Sequence, residues 1–344
     1  MRNPWEKNLG YSLLRPYVDW CTKASYSKVT VKGLKNIPED GVVIYAPNHC
    51  NTLMDALVVL QSHKEATSFG CRADLFKNPK VDKILRFLKI FPIARKRDGM
   101  QAVAGNLQTF EEIIETMSHD IPFCLFAEGT HRAERSLLPI KKGIFKIAAQ
   151  AYEELGRTVY VIPAGIEYDD YFTYMKPVTL TYGEPINVSE YLDTHKDLTD
   201  LDKLTSLTEI LRERLSKLIT YFPYDENFKT AVAEWEASRA PKKCWWEWPL
   251  GLIALPVFIA CGILCCPMWL VSLILVGKLE DKAWANSMRM VTKLGLLPVL
   301  FILYAVLGFC LLPWYWAVVL LVALIFSHSI FFLILNLYKK LFNK

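Results

Sequence analysis

His49 and Asp55 lie six residues apart, just after the apolar run 41–46. An imidazole there sits beyond a buried strand and close to the start of an apolar helix. Neutral imidazole takes up protons near pH 7, and a carboxylate on its other ring nitrogen would fix the tautomer and stabilise the imidazolium. Such a pair suits removal of a proton from a hydroxyl that attacks a thioester carbonyl. Many chains carry a His and an Asp this close, so the pair alone decides little.

Two further segments carry chemistry. Residues 126–132 read Phe-Ala-Glu-Gly-Thr-His-Arg after the apolar run 122–126. They put a carboxylate (Glu128), a permissive glycine (Gly129), a hydroxyl (Thr130) and a cation (Arg132) at a strand's C-terminal end, where ligands of α/β sheets bind. Lys141 and Lys142 follow, just ahead of a helical pattern, and cations at a helix start form an anion site. Residues 91–97 read Phe-Pro-Ile-Ala-Arg-Lys-Arg. Arg95 and Arg97 there offer guanidinium forks that match phosphate oxygens.

The elements that must position these residues follow from periodicity. Strands are expected at 28–32, 41–46, 67–71, 122–126, 159–166 and 178–182, and helices at 54–60, 81–88, 102–117, 143–155 and 201–220. Strands alternating with helices predict an α/β layer structure. Residues 9–25 form an amphipathic helix whose aromatics favour a membrane interface. After a polar, then tryptophan-rich junction at 221–248 come three apolar runs, 249–277, 294–312 and 314–338. The chain thus divides into an amphipathic N-terminal helix (1–26), an α/β domain (27–240) and a C-terminal helical membrane domain (241–344). The first apolar run, broken by Gly262 and Cys265-Cys266-Pro267, is too short for two full spans. It reads as one long helix or a re-entrant hairpin. A hairpin keeps the basic residues of 278–293 and of the tail on one side, and is preferred for that reason.

Composition excludes several classes. The formal net charge is +5, with no long basic run and no aromatic–basic interleaving, so no nucleic acid partner is expected. The nine cysteines form no CxxC pair, which leaves no metal site and no disulfide framework in view. His63, His195 and His328 read as structural, with Ser327 and Ser329 expected to satisfy His328. The N-terminus shows no apolar core leading to a cleavage site, so the α/β half is expected on the cytoplasmic side of a bacterial inner membrane or endoplasmic reticulum.

The order of the motifs resembles the glycerolipid acyltransferases, which include glycerol-3-phosphate and lysophosphatidic acid acyltransferases. Asn48-His49 to Asp55, Phe91 to Arg95, Phe126 to Arg132 and Val161-Ile162-Pro163-Ala164 appear in the family's sequence, and the likeness spans about residues 25–220. The resemblance implies a membrane-bound enzyme with His49 as general base and Asp55 as its partner. Arg95 would hold the acceptor phosphate, Glu128, Gly129 and Thr130 would line the acceptor site, and Asn48, Arg97, Arg132 and Lys141 complete the substrate-binding set. Acyl-CoA or acyl-carrier protein would donate the chain to a phosphate-bearing glycerol-type acceptor, with no metal or redox cofactor. Two departures stand out. The His-to-Asp spacing is one residue longer than the usual form, which is similar to membrane-bound fungal-type glycerol-3-phosphate and dihydroxyacetone-phosphate acyltransferases. His131 takes the place of the motif arginine and leaves Arg132 or Lys141 to supply the charge. An acceptor of the hydroxyacyl amino acid type keeps the same fold. A non-catalytic lipid-binding membrane protein is the reading from another class, and the intact His49 and Asp55 speak against it.

Overall fold

The computed structural model describes residues 3–95, 98–99, 104–240 and 243–342. Among these, eight strands build one sheet: β1 (Val29–Lys32), β2 (Val42–Pro47), β3 (Ser68–Arg72), β4 (Ile90–Ile93), β5 (Phe123–Cys124), β6 (Val159–Tyr168), β7 (Val178–Tyr182) and β8 (Ile186–Asn187). Their order is β1-β7-β6-β2-β5-β3-β4, with β8 also beside β6. From β6 to β4 the neighbours are parallel. The C-terminal ends of β2, β5, β3 and β4 therefore share one edge, and the segments carrying His49, Glu128 and Arg95 leave the sheet there, while the motif at 161–164 lies within β6. β4 is absent from the periodicity reading because Pro92 interrupts a four-residue run. A proline fits here because β4 is the edge strand.

β2 shows why the sheet is covered on both faces. Val42, Ile44 and Ala46 point into one core, Val43 and Tyr45 into the other. Helices α1 (Leu9–Lys23), α2 (Leu53–Leu60), α3 (Pro79–Phe87), α4 (Asn106–Ser118) and α5 (Gly143–Leu155) lie between or before the strands. After them come α6 (Val188–Thr194), α7 (Asp200–Ser216) and α8 (Phe228–Arg239). Ile113 and Met117 of α4, Phe145 and Ala148 of α5 and Leu207 and Leu211 of α7 fill the first core. Met54 and Val58 of α2 and Cys21 of α1 fill the second. The α4 periodicity begins at residue 102, but Ala102 and Val103 lie outside the described residues. The α7 pattern stops four residues short of Thr220, where Leu218 leaves the helix to pack against Gly165 and Gly183. α8, inside the polar junction, buries only Phe228 and so carries no apolar stripe to read.

Beyond the sheet, α9 (Glu247–Leu264), α10 (Cys266–Gly277), α11 (Ala285–Leu311) and α12 (Trp314–Phe342) follow. The helical segments Glu247–Leu264, Lys282–Leu311 and Trp314–Phe342 are each long and apolar enough to cross a membrane. The first apolar run breaks at Cys265, two residues before Pro267. α9 starts at Glu247, paired with Lys340, and runs along α12 to Cys265, which sits among Leu300, Leu324 and Phe331. α10 then returns beside α11 and delivers Asp281 to His131. The run thus folds back, with Glu247 near the end of α12 and Asp281 beside His131.

α11 departs most from the sequence reading, which places a connecting loop at 278–293. The helix instead starts at Ala285, and its first two turns are inserted into the α/β unit. Asn286 donates to the Tyr171 carbonyl, Arg289 to the Phe172 carbonyl and Lys293 to the Ala24 carbonyl. Met290 joins the second sheet core. One turn further, Pro298 has no N–H for the Leu294 carbonyl, and Tyr17 of α1 donates its hydroxyl there at 2.9 Å. α1 is thereby fastened to α11 at a gap in the helix ladder. His328 is fully buried against Tyr174 and Phe332, and its ring nitrogens have no partner among the described residues. The expectation that Ser327 and Ser329 satisfy it fails, because both hydroxyls go to backbone carbonyls.

His63 is structural as expected. Its ring bridges Ser62 and Thr67 at 2.8 Å each, and burial lowers its pKa from 6.5 to about 4. The unfolded chain takes a proton as pH falls below 6.5, while the folded chain stays neutral down to about 4. Stability is therefore lost across that window. The fall in melting temperature between pH 7 and pH 4.5 should be smaller in His63→Gln than in the wild type.

Candidate active site

A histidine six residues before its carboxylate would point about 120° away from it on a continuous helix. The chain avoids this because His49 precedes α2. Thr52 turns the backbone at φ 50, ψ −121, and α2 begins at Leu53. That is the conformation of the first central residue of a type II′ turn, which glycine ordinarily fills. For a β-branched residue it costs on the order of 1–3 kcal/mol. The turn brings His49 Nδ1 to 2.7 Å from Asp55 Oδ2.

Asp55 is fully buried and its lone pairs are engaged. Oδ2 also accepts from the Cys50 and Asn51 amides at 2.8 and 2.7 Å, and Oδ1 accepts from the Tyr168 hydroxyl at 2.8 Å. Four donors around one carboxylate compensate its removal from water and hold its position. The His49 ring, 18% exposed at its side chain, stacks on Phe126 with centroids 4.2 Å apart. With Nδ1 committed to Asp55, Nε2 is the nitrogen left for a ligand.

Glu128 ties the two motifs together. Its carboxylate accepts from the His49 amide at 2.8 Å and the Leu138 amide at 2.7 Å, and the Arg132 amide donates to the His49 carbonyl. It is buried, and desolvation raises its pKa above the ordinary value. Asn48 is used similarly. Its amide donates to and accepts from the backbone of Ile166 on β6, which leaves no polar end toward the cleft. Gly129 has φ 72, and Thr130 beside it is exposed.

The cations form a looser set. Arg132 pairs with Glu134 at 3.1 Å and lies over the Tyr224 ring. Arg95, at the end of β4, faces Asp98 at 3.4 Å and Asp74 at 3.9 Å. Three strand spacings separate β4 from β2, about 14 Å between backbones, so Arg95 does not touch His49. Arg97 lies outside the described residues. Lys141 is exposed, its stem running past Gly129, and it has no ion pair among the described residues.

Four site residues escape the sequence reading. Tyr168 comes from β6, 113 positions beyond Asp55. Asp281 Oδ2 lies 2.6 Å from His131 Nε2, and the His131 ring stands perpendicular to His49 at 5.5 Å and to Trp284 at 6.0 Å. The hydrogen bond from His131 holds the Asp281 carboxyl below its usual range, so it is ionised. Ser287 of α11 meets Thr52, hydroxyl to hydroxyl, at 2.7 Å. The polar residues of 278–293 were the available signal, since charges at the end of an apolar run also mark a docking surface.

Residues 28–167 match the family model described as Acyltransferase. Among solved structures, the crystal structure of the 1-acyl-sn-glycerophosphate (LPA) acyltransferase PlsC from Thermotoga maritima matches at 22% identity and a TM-score of 0.43, covering 60% of this chain and 76% of that one. No curated protein sequence matches significantly. The matched segment runs from the residue before β1 to the penultimate residue of β6 and contains all the motif residues. The sheet is thus an acyltransferase-like α/β unit followed by C-terminal helices.

Proposed function

We propose that this chain is a membrane-bound O-acyltransferase that moves a fatty acyl group from acyl-CoA or acyl-carrier protein to a hydroxyl of a phosphate-bearing, glycerol-type acceptor. Glycerol-3-phosphate, dihydroxyacetone phosphate and a lysophosphatidate are the acceptors in view. The observation that carries this is the His49–Asp55 pair, buried on the carboxylate side and open at Nε2, inside the segment that matches the family model. Nε2 takes the acceptor's hydroxyl proton as its oxygen attacks the thioester carbonyl. Asp55 keeps the proton on Nδ1 and stabilises the imidazolium, which then protonates the departing thiolate. Transfer is direct. The neighbouring thiol, Cys50, is buried near Asp55 and the Ile166 carbonyl, and desolvation pushes its pKa far up, so it is no nucleophile.

Membrane attachment rests on the three long apolar helices. Lys278, Lys282 and Lys340 flank them on the side where the α/β unit lies, which favours a cytoplasmic site. The six-residue spacing and the C-terminal helices together favour the fungal-type subgroup. The acceptor's phosphate is assigned to Lys141, a cation beside Gly129 with no ion pair among the described residues, with Arg95 at the far end of the edge. Lys141→Ala should raise KM for a phosphate acceptor about tenfold and change kcat less than about twofold.

A hydroxyacyl amino acid is the second acceptor to test, because the ionised Asp281 beside His131 puts a negative charge where the family's arginine would put a positive one. The deciding assay follows thiol release from palmitoyl-CoA by detergent-purified protein with glycerol-3-phosphate, dihydroxyacetone phosphate, a lysophosphatidate and a hydroxyacyl amino acid. His49-dependent turnover with a phosphate acceptor supports the proposal and selects the step. Turnover with the amino acid alone moves the enzyme to aminolipid chemistry. Silence with every acceptor, for both CoA and carrier-protein donors, sinks the enzymatic reading.

A further inference from the structure

The long His-to-Asp spacing works only because Thr52 holds a backbone conformation that a β-branched residue avoids. Such a conformation persists only where its surroundings over-determine it. On one side the Cys50 and Asn51 amides are bonded to Asp55. On the other, Thr52 makes no side-chain cap to α2, although threonine at a helix start ordinarily bonds the first free amides. Its hydroxyl is turned instead to Ser287, and both residues are buried. Ser287 cannot drift away, because Asn286 and Arg289 anchor the same two turns of α11 to the Tyr171 and Phe172 carbonyls and Met290 sits in the sheet core.

We propose that Ser287, from the first turn of a membrane-spanning helix, is a positioning residue for His49. Through Thr52 it keeps the catalytic loop in the shape that places Nδ1 on Asp55. The proposal rests on the reading of His49 as general base, and it adds that α11 completes the catalytic loop as well as anchoring the chain. A merely structural role would lower stability without respect to Thr52. A positioning role makes the effect of Ser287 depend on how strongly Thr52 resists its conformation, and glycine at that position resists it least.

The test is a double-mutant cycle on the full-length, detergent-purified chain. Ser287→Ala should lower kcat about tenfold with KM unchanged, the signature of a displaced base. Thr52→Val, which removes the same bond from its other end while keeping the side-chain shape, should do likewise. In the Thr52→Gly background the Ser287→Ala cost should shrink below about twofold, because the turn no longer needs holding. An undiminished cost in that background, or a full kcat in both Ser287→Ala and Thr52→Val, overturns the proposal. Amide exchange of the 49–53 peptide gives a readout independent of turnover and should quicken in Ser287→Ala while the peptide of α5 does not. Unchanged exchange at 49–53 would overturn the Ser287 role even if the chain proved to have no acyltransferase activity, whereas wild-type silence in the assay sinks only the enzymatic reading.

Discussion

His49→Ala should lower kcat by about three orders of magnitude and leave KM for both substrates within about twofold, since a positioned general base contributes roughly 10²–10⁴-fold. Alanine removes the only side chain of the site that combines a partly open ring nitrogen with a buried carboxylate partner. The substitution should not unfold the protein. The backbone of His49 bonds to Glu128 and Arg132 through its amide and carbonyl, and alanine keeps both. A melting temperature close to wild type, measured alongside the lost turnover, separates chemistry from stability. Retained turnover would mean that proton removal happens elsewhere, and with it the proposed mechanism would fall.

Asp55→Asn should cost about 10²–10⁴-fold in kcat, the range expected when the partner of a catalytic imidazole loses its charge or fixes the wrong tautomer. Here the environment adds a second cost. The Oδ2 position receives three donors, from His49, Cys50 and Asn51, so an amide nitrogen cannot take that place. The asparagine oxygen must go there, which turns the amide nitrogen toward the Tyr168 hydroxyl, now a donor facing a donor. The bond between Tyr168 and residue 55 is thereby lost, which gives a measurable check. Tyr168→Phe should be mildly harmful in the wild-type background and near neutral in the Asp55→Asn background. Equal costs in both backgrounds would show that Tyr168 does not act through Asp55.

The sequence was most legible where chemistry and periodicity coincide. α5 and β7 match their expected bounds, because each carries a clean alternation or stripe bounded by turn residues. The His49–Asp55 pair could be named because its members are near in the chain, and the need for a break before the helix followed from helical geometry alone. The residues that hold the pair in place could not be named. Tyr168 is an apolar-looking tyrosine at the end of a strand that is buried over most of its length. Ser287 and Asp281 belong to a polar stretch between apolar runs, which reads as a solvated connection. Only the folded chain shows that this stretch packs on the same sheet face as α1 and α2. Glu128 and Asn48 are candidates from sequence as substrate-binding residues, but their side chains are bonded to backbone, so what they position is clearer than what they would bind.

The insertion of α11 into the sheet face also orders events during synthesis. Domains generally fold from the N-terminus as the chain emerges, and strands β1 to β8 and most of the helices around them are complete by residue 239. The second core at that stage still lacks Met290, and the turn at Thr52 still lacks its partner from α11. A nascent chain in this condition holds the motif residues but not the clamp on them. If Ser287 has the positioning role proposed for it, catalytic competence waits until the first turns of α11 have been made, after the first apolar run.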